Sequence, residues 1–124
     1  EAGTPPIVEA IGLGAALDYM LQIGRPAIAA HERVLLRHAH DRLGELPFVR
    51  IHGTAPGKGS IVAFSVDRLH PHDVSTIVDR SGVAIRAGHH CVTATCRASF
   101  ALYNTTAEID VLAAALIKAH EFFA

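Results

Sequence analysis

The order of helical and strand-like segments is the feature that most constrains the fold of this 124-residue chain. One apolar helical run begins after Pro5 and stops at Gly24, and a second begins at Pro26 and closes at Pro47. In both runs apolar residues recur every three or four positions, which is typical of amphipathic helices. A third helix is predicted from Thr105, where the sequence TTAE has the pattern of a capping box. Its predicted buried face consists of Ile109, Leu112, Ala113, Leu116 and Phe123.

Short β-like runs fill the segment between the second and third of these helices. Strands are predicted at residues 48–52, 61–66, 83–86 and 97–102, and a short helix at residues 72–80. A Gly- and Pro-rich turn separates the first two strands. The order predicts an α+β fold with a small, largely antiparallel sheet covered by helices on one face. We expect residues 1–124 to form a single domain.

Composition excludes several functional classes. Half of the residues are apolar and 19% are charged, as in globular domains. The net charge of -1 gives no electrostatic reason to expect a nucleic-acid partner. The sequence has no uninterrupted apolar run of about eighteen residues, so no membrane span is expected.

Two cysteines are too few for a disulfide framework, which makes the cytoplasm the expected compartment. The opening EAGTPPIVEA has no leader pattern and reads as the middle of a longer protein.

Chemically versatile side chains are concentrated in residues 83–104, VAIRAGHHCVTATCRASFALYN. Cys91 follows a predicted strand, in a loop to which Gly88 gives backbone freedom. Neighbouring cationic groups lower the pKa of a thiol and favour the nucleophilic thiolate, and Arg86, His89 and His90 are close in sequence. Arg97 has the planar fork that binds carboxylates. Cys91 is therefore the candidate nucleophile.

Three less specific interpretations stand beside this one. A loop cysteine is more often inert than catalytic, and Cys96 is expected to be a small buried core residue. His89, His90, Cys91 and Cys96 together could form a zinc site, although the second pair of ligands usual in such sites is missing. The glycine-rich IGLGAA lies inside a helical run with no strand before it, so it predicts close helix packing rather than dinucleotide binding.

The motifs RAGHHC and CRASFALYNT resemble the active-site region of group II (SufS/CsdA-type) cysteine desulfurases of the class-V aminotransferase family. The segments EAGTP, IGLGAALDYM and HPHDVSTIVDRSGVAIRAG are similar to the same family in order and spacing. The resemblance covers nearly the whole chain and implies the C-terminal small domain of such an enzyme. Members are homodimers that use pyridoxal 5'-phosphate. They convert L-cysteine to L-alanine and pass an enzyme-bound persulfide to a sulfur-acceptor protein for iron–sulfur cluster assembly.

The resemblance also implies roles for single residues. Cys91 matches the cysteine that attacks the substrate sulfur, and Arg97 matches the arginine that binds the substrate carboxylate. Arg86 matches an arginine lining the same pocket. Thr4 matches a threonine that reaches the cofactor phosphate of the partner subunit. His89 and His90 are expected to shape the loop, and either could stabilise the thiolate.

Two departures from the family pattern matter. The family's cofactor lysine belongs to a large domain that is absent here, and Lys58 and Lys118 lie in a turn and on a helix. The segment alone is therefore expected neither to bind the cofactor nor to turn over cysteine. Members also have a longer loop where only five residues separate Cys91 from Arg97. Either the loop is deleted or its residues are missing from the numbered sequence, and the intact VTATCRAS pattern favours the second explanation.

Alternative functions remain open at this point. Selenocysteine lyases use the same scaffold, and a free-standing module could dock a sulfur-acceptor protein or dimerise without catalysis. A small zinc-binding domain is the third alternative. If the first helix normally packs on a large domain, its exposed apolar face predicts dimerisation or another association.

Overall fold

The computed structural model describes residues 3–90 and 93–123, with the backbone alone for residues 89, 90 and 93. Helices and strands follow one another in the predicted order, and the fold is α+β as predicted. The elements are α1 (Ile7–Ile23), α2 (Arg25–Gly44), β1 (Val49–His52), β2 (Ile61–Val66), α3 (Pro71–Asp79), β3 (Arg86–His90), β4 (Thr93–Ser99) and α4 (Thr106–Phe123).

The four strands form one antiparallel sheet in the order β1-β2-β4-β3. Successive side chains of a strand point to opposite faces, so each strand presents one set of residues to each side. Phe64 of β2 is the register partner of Cys96 of β4, and both are buried under the helices. The residues between them, such as Ala63 and Arg97, belong to the opposite face. We call that opposite side the open face of the sheet.

The core lies between the sheet and three helices, α2, α3 and α4, which pack on one face as predicted. Its largest fully buried side chains come from every one of these layers: Leu35, Leu43, Phe64, Val74, Val78, Ile109 and Leu116. Burying such aliphatic and aromatic side chains contributes roughly 1.5–3 kcal/mol each, which holds the layers together.

The bounds of β3 and β4 differ most from the sequence prediction. β3 begins at Arg86, where the predicted strand ended, and β4 begins at Thr93 rather than Arg97. The reason is cross-strand pairing, because β4 is stabilised by β3 along its first residues and by β2 along its last. Residues 83–85 instead connect α3 to the sheet. Gly88 therefore belongs to a strand and not to the predicted flexible loop.

Strands β3 and β4 are paired up to their adjoining ends. His90 is the register partner of Thr93, so two residues of the sequence, 91–92, lie between the paired positions. We call these two residues the short connection after β3. Both explanations of the short spacing between Cys91 and Arg97, a deleted loop and residues missing from the numbered sequence, stay predictions.

Helix α1 is the exception to the layered packing. None of its residues is buried, and its apolar side chains are exposed all round, with Val8 79% exposed. The helix meets α2 at 82° across Gly24, whose φ of 90° is readily adopted only by glycine. Among the described residues no single helix is long and apolar enough to cross a membrane, and only the bent pair of α1 and α2 passes that test together.

Helix α4 confirms part of the predicted capping box and corrects its predicted buried face. The Glu108 carboxylate accepts a hydrogen bond from the Thr105 backbone N–H at 2.7 Å, which holds the pKa of Glu108 below its ordinary value. Ile109 and Leu116 are buried as predicted. Phe123 is 49% exposed instead, because the last turn extends beyond the packed layers.

Candidate functional site

Two arginines are paired directly across the hairpin formed by β3 and β4. Arg86 is the register partner of Arg97, so both belong to the open face of the sheet. Within the described part of the chain, neither guanidinium has a carboxylate oxygen within 4.0 Å. Like charges directly opposite each other destabilise a sheet, and two guanidinium groups can bind a carboxylate between them. The pair therefore forms a candidate anion site.

Arg97 and Thr95 also have polar atoms that are buried without a partner. The Arg97 Nε and the Thr95 Oγ1 are both buried, and neither makes a hydrogen bond to a described residue. The two residues alternate along β4 and so share the open face. A buried unsatisfied donor costs about 1–3 kcal/mol, which a bound ligand can recover. Sequence reasoning missed Thr95, although its spacing of two from Arg97 was the signal that could have identified it.

The rest of the open face carries polar groups but no carboxylate. None of the four described strands contains an acidic residue. On β1 and β2, the His52 Nε2 atom and the Ser65 hydroxyl are hydrogen-bonded at 2.9 Å. Arg50 is the register partner of Ser65 on the same face. The open face is therefore electropositive as a whole, which favours an anionic ligand over a metal ion.

The predicted nucleophile, Cys91, lies outside the described residues. The hairpin nevertheless limits how far its neighbours are from the arginine pair. Arg97 is four residues along β4 from Thr93, which corresponds to about 13 Å in an extended strand. Thr93, the first described residue after Cys91, is thus separated from Arg97 by a regular strand.

Cys96 lies on the helix-covered face of the sheet, and its thiol is expected to be unreactive. Its side chain is 1% exposed, and its Sγ lies 3.7 Å from the Pro71 carbonyl oxygen. Burial raises the pKa of the thiol to about 11, so the thiolate is scarce near neutral pH. The prediction that Cys96 is a small core residue is confirmed. Among the described side chains, no cluster of three potential ligands could hold a metal ion.

The remaining predicted site residues are dispersed. Thr4 is on the exposed segment before α1, whose main packing partner is α2, so it is not brought to the arginine pair. The backbones of His89 and His90 lie in β3, where they pair with Ala94 and Thr93, rather than in the predicted loop. Their side chains lie outside the description, and the shaping role assigned to them stays a prediction.

The two lysines do not fit a resident pyridoxal phosphate. A Schiff base requires a free amine facing an enclosed cavity. The Lys58 amine instead donates to the Gly53 carbonyl at 2.6 Å in the turn before β2, and Lys118 is exposed on α4. The open face of the sheet therefore offers an anchor for an anionic substrate, while the covalent anchor for the cofactor is missing from this chain.

Comparison with known proteins relates this geometry to a family of enzymes. A protein of Streptomyces coelicolor named "Probable cysteine desulfurase" is 47% identical over 99% of the chain and 32% of its own length. A protein of Haloferax volcanii named "Cysteine desulfurase" is 45% identical over 100% of the chain and 32% of its own length. The apo structure of a cysteine desulfurase from Thermococcus onnurineus superimposes with a TM-score of 0.89 at 34% identity, covering 98% of this chain and 33% of that one.

The alignment with one relative is longer than the chain. The match to the Haloferax volcanii protein extends over 135 positions, whereas the chain has 124 residues. Some positions of that relative thus have no counterpart here. The longer loop of the family, which the resemblance leads us to expect, would account for such a surplus.

The chain spans about a third of the length of the relatives that it matches. The aminotransferase class-V profile matches residues 1–112, which include α1 to α3, the whole sheet and the start of α4. The arginine pair lies within this matched region. The chain therefore belongs to the aminotransferase class-V family.

Proposed function

We propose that this chain is the small domain of a pyridoxal-phosphate-dependent cysteine desulfurase and that it binds the carboxylate of L-cysteine. The observation that carries the proposal is the Arg97 guanidinium, whose Nε is buried on an electropositive sheet face without a hydrogen-bond partner among the described residues. The names of the relatives supply the reaction class. The arginine pair supplies a feature that this reaction requires, because the substrate is an amino acid with a free carboxylate.

Each residue of the site has a distinct task in the proposed reaction. Arg97 binds the substrate carboxylate through its fork, and Arg86 adds positive charge from the neighbouring strand. The Cys91 thiolate forms a bond to the substrate sulfur while the substrate C–S bond breaks. The electron pair of that bond stays with the carbon fragment, which takes up a proton to become L-alanine, and Cys91 is left as a persulfide. Pyridoxal phosphate, bound by the rest of the enzyme, supplies the electron sink. The persulfide is then passed to a sulfur-acceptor protein.

The exposed surface of α1 fits the same proposal. A helix that is apolar all round is normally buried, and this one has no buried residue in the chain. About two thirds of the relatives' length has no counterpart here. We infer that α1 packs on that large domain, which also holds the cofactor, in a homodimeric cytoplasmic enzyme.

A non-catalytic module is the second candidate, and the short connection after β3 favours it. The carboxylate anchor is about 13 Å along β4 from Thr93, whereas the carboxylate and sulfur of one cysteine molecule are only a few bonds apart. A nucleophile on a long loop could fold back over the strand. If residues 91–92 cannot do so, the chain would still bind an anion but would not accept sulfur.

A chimera tests the proposal directly. We would replace the matching third of the Streptomyces coelicolor relative with this chain and measure alanine released from L-cysteine, together with the persulfide formed. Alanine production that disappears in Cys91→Ser and falls in Arg97→Gln supports the proposal. A folded chimera that binds the cofactor but releases no alanine contradicts it.

A matched variant separates the two candidate functions. The same chimera would also be made with the relative's own longer loop in place of residues 91–92. Activity in both chimeras means that the short connection still delivers the thiol. Activity only with the longer loop means that the anion site is functional and that this chain is the non-catalytic module.

A further inference from the structure

A second electropositive site lies away from the sheet, in a groove between α2 and the turn that joins β1 to β2. Two adjoining cavities of about 380 and 240 Å³ form it, and Arg33, Leu36, Gly57 and Lys58 line both. We call this region the α2 groove. It is on the helical side of the molecule, so it is separate from the arginine pair of the open face.

The side chains of α2 that line the groove follow a helical face. Ala29, Arg33, Arg37 and His40 follow one another at intervals of three or four residues, and Leu36 lies three residues after Arg33. From residue 29 to residue 40 the helix rises about 16 Å. The groove is therefore elongated, with Leu36 as its apolar floor and cationic groups along its length. This shape fits an extended peptide better than a small compact anion.

The charges in the groove are not neutralised within the described part of the chain. Arg33, Arg37 and Lys58 have no carboxylate oxygen within 4.0 Å there. Glu32 lines the smaller cavity and Asp41 is near its far end, but neither forms an ion pair with these cations. Three cations against two flanking carboxylates leave the groove positive.

The cationic groups of the groove repel one another. Burial lowers the pKa of Lys58, and burial together with the Lys58 charge lowers the pKa of His40. The side chains of both residues line the larger cavity. An incoming carboxylate there would relieve the repulsion between the cations.

We propose that the α2 groove binds an acidic, partly apolar peptide segment of a partner protein in extended form. Carboxylates of the segment pair with Arg33, Arg37 and Lys58, and an apolar side chain contacts Leu36. Gly57 and Gly59 have no side chains, which lets a peptide backbone approach the turn closely. About five extended residues cover 16 Å. This site is independent of the proposed desulfurase function.

A labelled synthetic peptide tests the proposal on the 124-residue chain. The probe is the fluorescent peptide Gly-Glu-Leu-Glu-Glu-Leu-Glu-Gly, and the control replaces every Glu by Gln. We expect anisotropy to report saturable binding of the acidic peptide alone. The double variant Arg33→Gln and Arg37→Gln should weaken it about tenfold, whereas Lys118→Gln on the exposed side of α4 should not. Circular dichroism would verify that each variant is folded.

The location of the peptide decides between groove binding and general charge attraction. Backbone amide shifts of residues 29–40 and 57–60 on titration support the proposal. Equal loss of affinity in the Lys118→Gln control, or shifts spread over the open face of the sheet, overturn it. Displacement of the peptide by an equimolar amount of pyrophosphate would also overturn it, because the site would then bind a compact phosphate and not a peptide.

Discussion

Arg86 and Arg97 are register partners on neighbouring antiparallel strands, and both belong to the open face of the sheet. This arrangement places two permanent positive charges side by side without a carboxylate from the described residues. Such pairing of like charges destabilises the sheet by itself. An anion bound between the two guanidinium groups would offset this repulsion.

Removing one of the two charges should make the fold more stable and the binding of substrate weaker. In the isolated chain, Arg86→Gln is expected to stabilise the fold by about 0.5 kcal/mol because the repulsion across the strands is relieved. In the chimera the same change should raise the KM for L-cysteine. Urea denaturation and steady-state kinetics measure the two effects. Arg50→Gln is the matched control on β1, and an equal rise in KM there would contradict a specific role for the pair.

Replacing Thr95 should also have opposite effects on the stability of the isolated chain and on the binding of cysteine in the chimera. Thr95→Val replaces a buried hydroxyl, which has no hydrogen-bond partner among the described residues, by a methyl group of the same shape. We expect the isolated chain to gain about 1 kcal/mol, since an unsatisfied polar group is removed. If the hydroxyl contacts substrate, the chimera should bind cysteine more weakly. A loss of stability in Thr95→Val would mean that the hydroxyl is satisfied in solution.

Cys96 should be unreactive while the chain is folded. Its thiol is buried and its pKa is raised to about 11, so little thiolate is present at pH 8. In the Cys91→Ser variant, where Cys96 is the only thiol, a disulfide reagent should react fully only after urea is added. Rapid reaction of one thiol per chain in the native state would show that the region around Cys96 opens.

Helix α1 should drive association of the isolated chain. Leu13 and Leu17 are one turn apart, and both are more than half exposed. Replacing both by Gln is expected to shift the chain toward monomer in sedimentation velocity, because less apolar surface is left uncovered. Tyr103→Gln removes an isolated exposed aromatic side chain and serves as the control. A wild-type chain that is monomeric at every concentration would contradict the expectation.

The Glu108 cap should contribute to acid sensitivity. Its folded pKa lies below the ordinary value of 4.5, chiefly because the Thr105 N–H donates to the carboxylate. The stabilisation is complete above pH 4.5 and is lost as the pH falls through the lower, folded pKa. Glu108→Gln should therefore be less stable than the wild type at pH 7, with a difference that shrinks in acid. Thermal melts between pH 7 and pH 3 measure it, with Glu121→Gln as control.

Local pattern was sufficient to predict much of the architecture. The spacing of apolar residues predicted α2 and α4, and the exact span of β2, because burial of one face imposes a period along the segment itself. The capping box placed the start of α4 within one residue. The motifs around Arg86 and Arg97 also indicated the family before any contact was known.

Other features required the folded chain. Cross-strand register decides where β3 and β4 end and that Arg86 lies opposite Arg97. It also places the Thr95 hydroxyl where it has no hydrogen-bond partner among the described residues. The α2 groove depends on a turn that is distant in sequence from the helix. Sequence alone determined which residues could be buried or could bind an anion, because these are properties of single side chains and their spacing. Tertiary structure decided which of them meet, because register and packing are fixed only when separate segments compete for the same partners.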